Sequence, residues 1–214
     1  MLSVCRTELQ RVKVVLASQS PRRKELMASL GLEFETLPSG FSEDLDKSKY
    51  DDAADYAADT AYFKVEDVAR TIQKREEGFT SPYLIVGADT VVDLAGEVME
   101  KPDTEEDAFR MLSTLSGNTH RVHTGVAVCL VRSESEPTKV SKHSETTTVT
   151  FDDLPEKVIR AYIASGEPMD KAGSYGIQGS GGSMVTGIQG CYFNVMGLPL
   201  NRLSKIIANV LREE

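Results

Sequence analysis

Short apolar runs and helical stripes alternate along the chain. Residues Lys13 to Ala17 (KVVLA) form an apolar run that predicts a buried strand. The run breaks within two residues into a polar, cationic stretch, VLASQSPRR. There Ser20 fits a helix N-cap and Pro21 the first helical position; Leu26, Met27 and Leu30 make an apolar face, and Gly31 closes the helix. The segment LEFETLPSG predicts a second strand over 32–40. From Asp52 to Lys74 the residues Ala54, Ala58, Ala61, Val65, Val68 and Ile72 alternate spacings of four and three, one stripe of a long helix, with Lys64 bordering it. After a loop at REEGFTSP, YLIVGA (Tyr83 to Ala88) predicts a short buried strand with Asp89 at its end. TVVDLAGEVMEKP then predicts a hairpin around Ala95-Gly96.

Thr104 to Ser116 reads as a helix, with Thr104 as cap, Asp107 in the capping-box place, Ala108, Met111, Leu112 and Leu115 on one face and Gly117 as the stop. Strands are expected near Val122–Val131 and Glu145–Phe151, separated by the polar loop SESEPTKVSK. Pro155 to Ser165 is helical in pattern. Gly166 to Gly190 is glycine-rich and leads to a strand near Tyr192–Val195, and a last helix runs from about Pro199 to Arg212. Interleaved strands and helices predict an α/β fold: a mixed sheet with flanking helices and some antiparallel pairing. No repeat and no linker is visible. Residues 1–12 read as an N-terminal extension and 13–214 as a single domain, divided at most into two lobes around a cleft.

Composition narrows the function classes. The chain has 214 residues, 40% hydrophobic and 27% charged, enough length and apolar content for a folded core. A net charge of −9 argues against a protein that grips nucleic acid polymers through a broad basic face, yet leaves room for a small basic pocket. Cys5, Cys129 and Cys191 are odd in number and widely spaced, which fits neither a disulfide framework nor a zinc pattern and points to a reducing, cytoplasmic setting. The N-terminal residues carry scattered charges without an apolar core of a signal peptide, and no run approaches the roughly 20 apolar residues of a membrane span.

Four stretches carry candidate chemistry. In VLASQSPRR a strand leads directly into a helix N-terminus, with its free N–H groups and positive dipole end; Ser18 and Ser20 add hydroxyls. Arg22 and Arg23 lie where a helix alone prefers acids, a conflict of a few tenths of a kcal/mol each that a bound anion would resolve; solvated arginines after an ordinary Ser-Pro start are the plain alternative. In VGADT, Asp89 can bind a divalent metal or activate water, or serve as a turn residue. In GEVMEKP, Lys101 is a candidate phosphate ligand, or half of a solvated pair with Glu100. In EPMDKAGSYGIQGSGG, Asp170 and Lys171 precede a run of glycines that would let the backbone approach a ligand, and Gln178 can read a base edge. Glu43, Asp44 and Asp46 form an acidic cluster, any one of which can complete a metal site with Asp89. His120 and His123 do not share a face in a strand, and Cys129 reads as core. No Walker A, GxGxxG or GxSxG sequence is present. Several cations, a glycine-rich loop and a few carboxylates together suit a metal-bound polyphosphate.

In this order LASQSPRR, VGADTVV, EKP, LSG and DKAGSYGIQGSGG resemble the Maf family, nucleoside triphosphate pyrophosphatases once described as septum formation inhibitors, from about Val14 to Leu211. The resemblance implies a two-lobed α/β fold similar to the inosine triphosphate pyrophosphatases, a homodimer, and cleavage of a nucleoside triphosphate between its α and β phosphates with Mg²⁺ or Mn²⁺. Asp89 matches the family's proton acceptor, and Ser18, Arg23, Glu43, Lys64, Lys101, Asp170 and Lys171 match its site positions. Arg22, Thr90 and Gln178 match the branch that prefers dTTP and UTP. The other branch, which prefers 7-methyl-GTP, typically has Trp at the first of these, and this chain contains no Trp. A nucleotide-binding regulator without catalysis is the reading from a different class.

Overall fold

The computed structural model describes residues 2–75, 81–133 and 139–212. The parts of the two expected polar loops at 76–80 and 134–138 lie outside the described residues. A 3-10 turn at Leu2–Cys5 and the short helix α1 (Arg6–Leu9) lead into strand β1 (Lys13–Leu16), helix α2 (Pro21–Ser29) and strand β2 (Glu35–Thr36). Helix α3 (Ala53–Arg75) precedes β3 (Tyr83–Leu94), β4 (Glu97–Met99) and helix α4 (Glu105–Leu115). The long strands β5 (Thr119–Val131) and β6 (Val140–Phe151) follow, then helix α5 (Glu156–Ala164). After a series of 3-10 turns come β7 (Val185–Gln189), the helical turn α6 (Tyr192–Val195) and helix α7 (Leu200–Arg212). The seven strands form one mixed sheet in the order β2-β1-β3-β5-β6-β7, with β4 also paired to β3. The α/β class and the mixed sheet with flanking helices are as the sequence predicts.

Both faces are covered. On one face α3 packs Ala61, Val65 and Val68 against Val15, Ile85, Ala127 and Cys129. On the other, α2 and α7 cover Leu16, Leu84, Val86, Val126 and Val128, and Leu2 and Cys5 of the N-terminal segment join that cluster. Farther along this face α4 and α5 build a separate cluster on Val92, Val122 and Val149. The two clusters leave a cleft between them.

Three expectations need correction. Asp89 is not at a strand end: β3 runs unbroken for 12 residues through it. The strand continues because β5 pairs with it from Tyr83 to Asp93. On its other side β1 stops opposite Val86 and β4 begins opposite Val92, so β3 between them has a bare edge. The strand expected over 32–40 shrinks to Glu35–Thr36, because the only neighbour it has, β1, offers two residues in register. The strand expected near Tyr192–Val195 is a helical turn instead. Asn194 there is fully buried and donates to the Val122 carbonyl and to Thr147 Oγ1, contacts that an extended chain would not bring together. The strand in that region is β7, which lies within the glycine-rich stretch and pairs with β6.

Candidate active site

The bare edge of β3 opens into a cavity of about 400 Å³. Strand alternation presents Asp89 toward α3 and Thr90 toward the opposite face, so the notch between β1 and β4 exposes side chains from both sides of the sheet. All eleven residues that the family resemblance places in the site line it: Ser18, Arg22, Arg23, Glu43, Lys64, Asp89, Thr90, Lys101, Asp170, Lys171 and Gln178. Five are cations and three are carboxylates, an excess of two positive charges in a chain of net charge −9. Among the described residues no histidine or cysteine lines the cavity.

The floor is a three-body ion cluster. Lys64 Nζ lies 2.8 Å from Asp89 Oδ1 and 2.8 Å from Glu43 Oε2. The Lys64 and Asp89 side chains are only 8% and 10% exposed, whereas Glu43 is about half-exposed. The close approach of α3 to the sheet sets this contact. A Cβ on Gly125 would lie 2.0 Å from the Ala57 carbonyl oxygen, and one on Gly87 would lie 2.6 Å from Val65 Cγ2. Glycine at both positions lets the helix seat Lys64 on Asp89. Burial works to raise the Glu43 pKa, but Lys64, with Lys101 and Arg23 behind it, outweighs burial and holds the carboxyl below its usual range. Asp44 and Asp46 are spent elsewhere, on Ser42 and Ser48. Of the acidic cluster, Glu43 alone joins Lys64. Two hard oxygen donors side by side fit Mg²⁺ or Mn²⁺, which one or two carboxylates hold together with substrate phosphates and water. Among the described residues no group of three or more His, Cys, Asp or Glu converges, so the protein by itself offers only part of such a shell.

The two arginines of the opening motif part company. Helix α2 starts as the sequence predicts, with Ser20 Oγ accepting from Arg23 N–H and Pro21 in the first turn. Arg23 then donates from Nε to the Gly197 carbonyl at 2.9 Å and from Nη2 to Thr90 Oγ1 at 3.0 Å, with Nη1 3.5 Å from Ser18 Oγ. These acceptors are neutral, and among the described residues no carboxylate pairs with Arg23 directly. Burial lowers its pKa while the charges of Asp89 and Glu43 raise it. Arg22 instead clasps Asp170, from Nη1 to the carboxylate at 2.7 Å and from Nη2 to the backbone carbonyl at 2.9 Å. Lys171 Nζ holds the other oxygen of Asp170 at 2.7 Å. Burial works to raise the Asp170 pKa, but Lys171 and Arg22 together lower it. Thr90 Oγ1 is shared between Arg23 and Thr124. Lys101 is exposed and is not paired with its neighbour Glu100, which accepts from Lys47 and from Tyr56.

Sequence reasoning overlooked some of the site. Val195 lines the cavity from the end of α6, Met196 and Gly197 from the turn after it, and Tyr175 from the glycine-rich stretch. Tyr175 is held from behind by His120 Nε2 at 2.9 Å. An Asn inside the apolar run CYFNVMG was the available hint to the α6 turn, since a polar side chain there needs buried partners.

Comparisons with known proteins came to the following. The family described as Maf-like protein matches residues 13–210. A dTTP/UTP pyrophosphatase of Clostridium perfringens is 47% identical over 198 residues, 92% of this chain and 97% of that protein. One from Acetivibrio thermocellus is 46% identical over 198 residues, 92% of this chain and 94% of that protein. A human protein named probable bifunctional dTTP/UTP pyrophosphatase/methyltransferase protein is 45% identical over 195 residues; the alignment covers 90% of this chain but only 31% of the human one. A solved HAM1 protein from Coxiella burnetii superposes at a TM-score of 0.42 with 13% identity over 92% of this chain and 99% of its own, too distant to carry an argument. Among the described residues no helix is long and apolar enough to cross a membrane.

Proposed function

The chain belongs to the Maf family, and on that premise we propose that it hydrolyses dTTP and UTP to the nucleoside monophosphate and pyrophosphate. Water adds to the α-phosphorus, the bond to the bridging oxygen breaks, and pyrophosphate leaves. The observation that carries the reading is the Lys64 ammonium, 2.8 Å from both Asp89 and Glu43 in a cavity with two more cations than carboxylates. Such a site attracts a polyanion and holds a carboxylate ready beside it.

Lys64 fixes the Asp89 carboxylate in place through their 2.8 Å contact, and Asp89 orients the water and accepts its proton. Arg23, whose charge has no carboxylate partner among the described residues, and exposed Lys101 offset charge on the phosphates; Lys171 can join them by exchanging Asp170 for phosphate oxygen. Glu43 and Asp89 would hold Mg²⁺ or Mn²⁺, which when bound supplies further charge stabilisation of the phosphates. Arg22, Thr90 and Gln178 belong to the choice of base. A cytoplasmic location and a homodimer, tested by light scattering, complete the proposal.

The test is pyrophosphate release from dTTP, UTP, 7-methyl-GTP and the purine triphosphates with Mg²⁺ or Mn²⁺. Release is expected to be fastest from dTTP and UTP, to stop on chelation with EDTA, and to slow by about 100-fold or more in Asp89→Asn. Binding without release would point to a nucleotide-binding regulator. Fastest release from 7-methyl-GTP would overturn the choice of substrate, and wild-type turnover in Asp89→Asn would remove Asp89 from catalysis.

A further inference from the structure

Building on the pyrimidine-nucleotide reading above, we propose that Glu167, together with Tyr162, is a positioning residue that sets substrate selectivity by holding the loop that carries Gln178. Glu167 is absent from the cavity lining, whereas Gly176 and Gln178 are part of it. Gln178 is exposed at the tip of the segment, and its side chain makes no hydrogen bond among the described residues. Its position therefore depends on how the chain on either side of it is fixed.

Both sides are fixed to one carboxylate. Before Gln178, the Gly176 N–H donates to Tyr162 Oη at 3.1 Å, and that hydroxyl donates to Glu167 Oε1 at 2.9 Å. After Gln178, the Gly181 N–H donates to Oε1 at 3.2 Å, and Ser180 donates to Oε2 from N–H at 3.1 Å and from Oγ at 2.6 Å. Four donors thus converge on a single side chain. Burial alone would raise the Glu167 pKa, but Ser180, Gly181 and Tyr162 outweigh it and hold the group ionised. Hydrogen bonds to a charged acceptor are the stronger kind.

The glycines of the loop fit this role. A Cβ on Gly179 would lie 2.3 Å from Glu167 Oε1, and one on Gly181 would lie 2.6 Å from Tyr162 Oη. A Cβ on Gly176 would lie 2.7 Å from Lys171 Cε. At these positions glycine makes room for internal side chains. The same turn also steadies a phosphate-side group, because the Glu167 carbonyl accepts from Lys171 Nζ.

The experiment uses the full chain as wild type, Glu167→Gln and Tyr162→Phe. It measures kcat and KM separately for dTTP, UTP and GTP, and the inhibition constant of inorganic tripolyphosphate, which has no base. In Glu167→Gln the carboxamide NH₂ faces N–H donors it cannot accept from, so the loop loosens. KM for dTTP and UTP is expected to rise about tenfold with kcat within about threefold, and the preference for dTTP over GTP to fall by a similar factor. Tyr162→Phe removes one link and should move the same ratio in the same direction by about threefold. The tripolyphosphate constant should stay within about twofold in both, which a general collapse of the site would not allow. Unchanged dTTP preference in both variants, or equal weakening of dTTP and tripolyphosphate, overturns the inference alone. A wild-type protein that releases no pyrophosphate from dTTP or UTP overturns the underlying reading and this inference with it.

Discussion

Replacing Lys64 by Met tests whether the ion cluster is the centre of the site. The substitution keeps the apolar stem and removes the ammonium that lies 2.8 Å from each carboxylate. At an effective dielectric constant of about 20, one such contact has a gross attraction of about 6 kcal/mol. Desolvation of the lysine offsets much of it. Breaking a buried pair from one side typically costs about 3–5 kcal/mol, because the remaining charge is stranded. Glu43 is about half-exposed and can turn to water, so its share is small. Asp89 cannot turn away, but the charge of Arg23 is near enough to soften the loss. A destabilisation of about 3 kcal/mol is therefore expected, a fall in Tm of about 6–12 °C for a chain of this size. The pH dependence has a definite sign. Glu43 has a lowered pKa in the fold, so its pairing stabilises above the usual carboxylate range and is lost as pH falls through the folded value. The gap between wild type and Lys64→Met should narrow in acid. A double variant carrying Asp89→Asn as well no longer strands a charge and should regain about 2 kcal/mol over Lys64→Met while staying inactive. Calorimetry on the three variants and wild type, with pyrophosphate release in parallel, decides it. A loss below about 1 kcal/mol, or a double variant no more stable than Lys64→Met, would refute the reasoning.

Two further outcomes follow from buried groups near the cavity. Burial lowers the pKa of His120 to about 4, so between that value and its ordinary 6.5 the unfolded chain binds a proton that the fold excludes; stability should fall as the pH drops from about 6.5 to about 4, by at most about 3 kcal/mol. Urea unfolding from pH 4 to 7 should show a shallower acid limb in His120→Gln, and equal limbs would remove His120 as the cause. Gly125→Ala would set a Cβ 2.0 Å from the Ala57 carbonyl, which forces α3 off the sheet. It should cost about 3 kcal/mol and slow turnover by displacing Lys64, whereas Gly187→Ala, with open space around it, should leave both within error; similar melting curves for the two would refute the tight crossing.

The site was legible in the sequence further than the fold around it. Lys64, Asp89, Lys101 and the DK pair each stand out as charges beside apolar or glycine-rich stretches, and charge has few uses in such places. What the sequence hides is pairing at a distance. Asp89 looks like a strand terminator because nothing within ten residues satisfies it; its partner is Lys64, 25 residues away on α3. The length of β3 depends on β5, which follows a whole helix later. The run CYFNV has the composition of a strand, and only the Asn194 contacts to Val122 and Thr147 make it a turn. Glycine at 179 and 181 has a further reason that the sequence hides, since the side chains that would crowd a Cβ there, Glu167 and Tyr162, precede them by twelve and nineteen positions.

Two arginines in the first turn of a helix are locally unfavourable, and from the sequence alone an external anion is the natural remedy. The structure divides the remedy. Arg22 already has its anion in Asp170, 148 residues on, and the pair ties α2 to the turn that holds Lys171. A charge that is matched inside the protein adds little pull on a substrate, so Arg22 is better suited to fixing geometry across the cleft. Arg23 is bound only to neutral oxygens and keeps its charge unmatched by any direct partner among the described residues. That charge, fixed by three oxygens from α2's own approach, from β3 and from the turn before α7, is in place before any substrate arrives. Preorganisation of this kind would serve every triphosphate alike, whatever its base, so in the proposed function discrimination falls to Arg22, Thr90 and the loop that Glu167 holds.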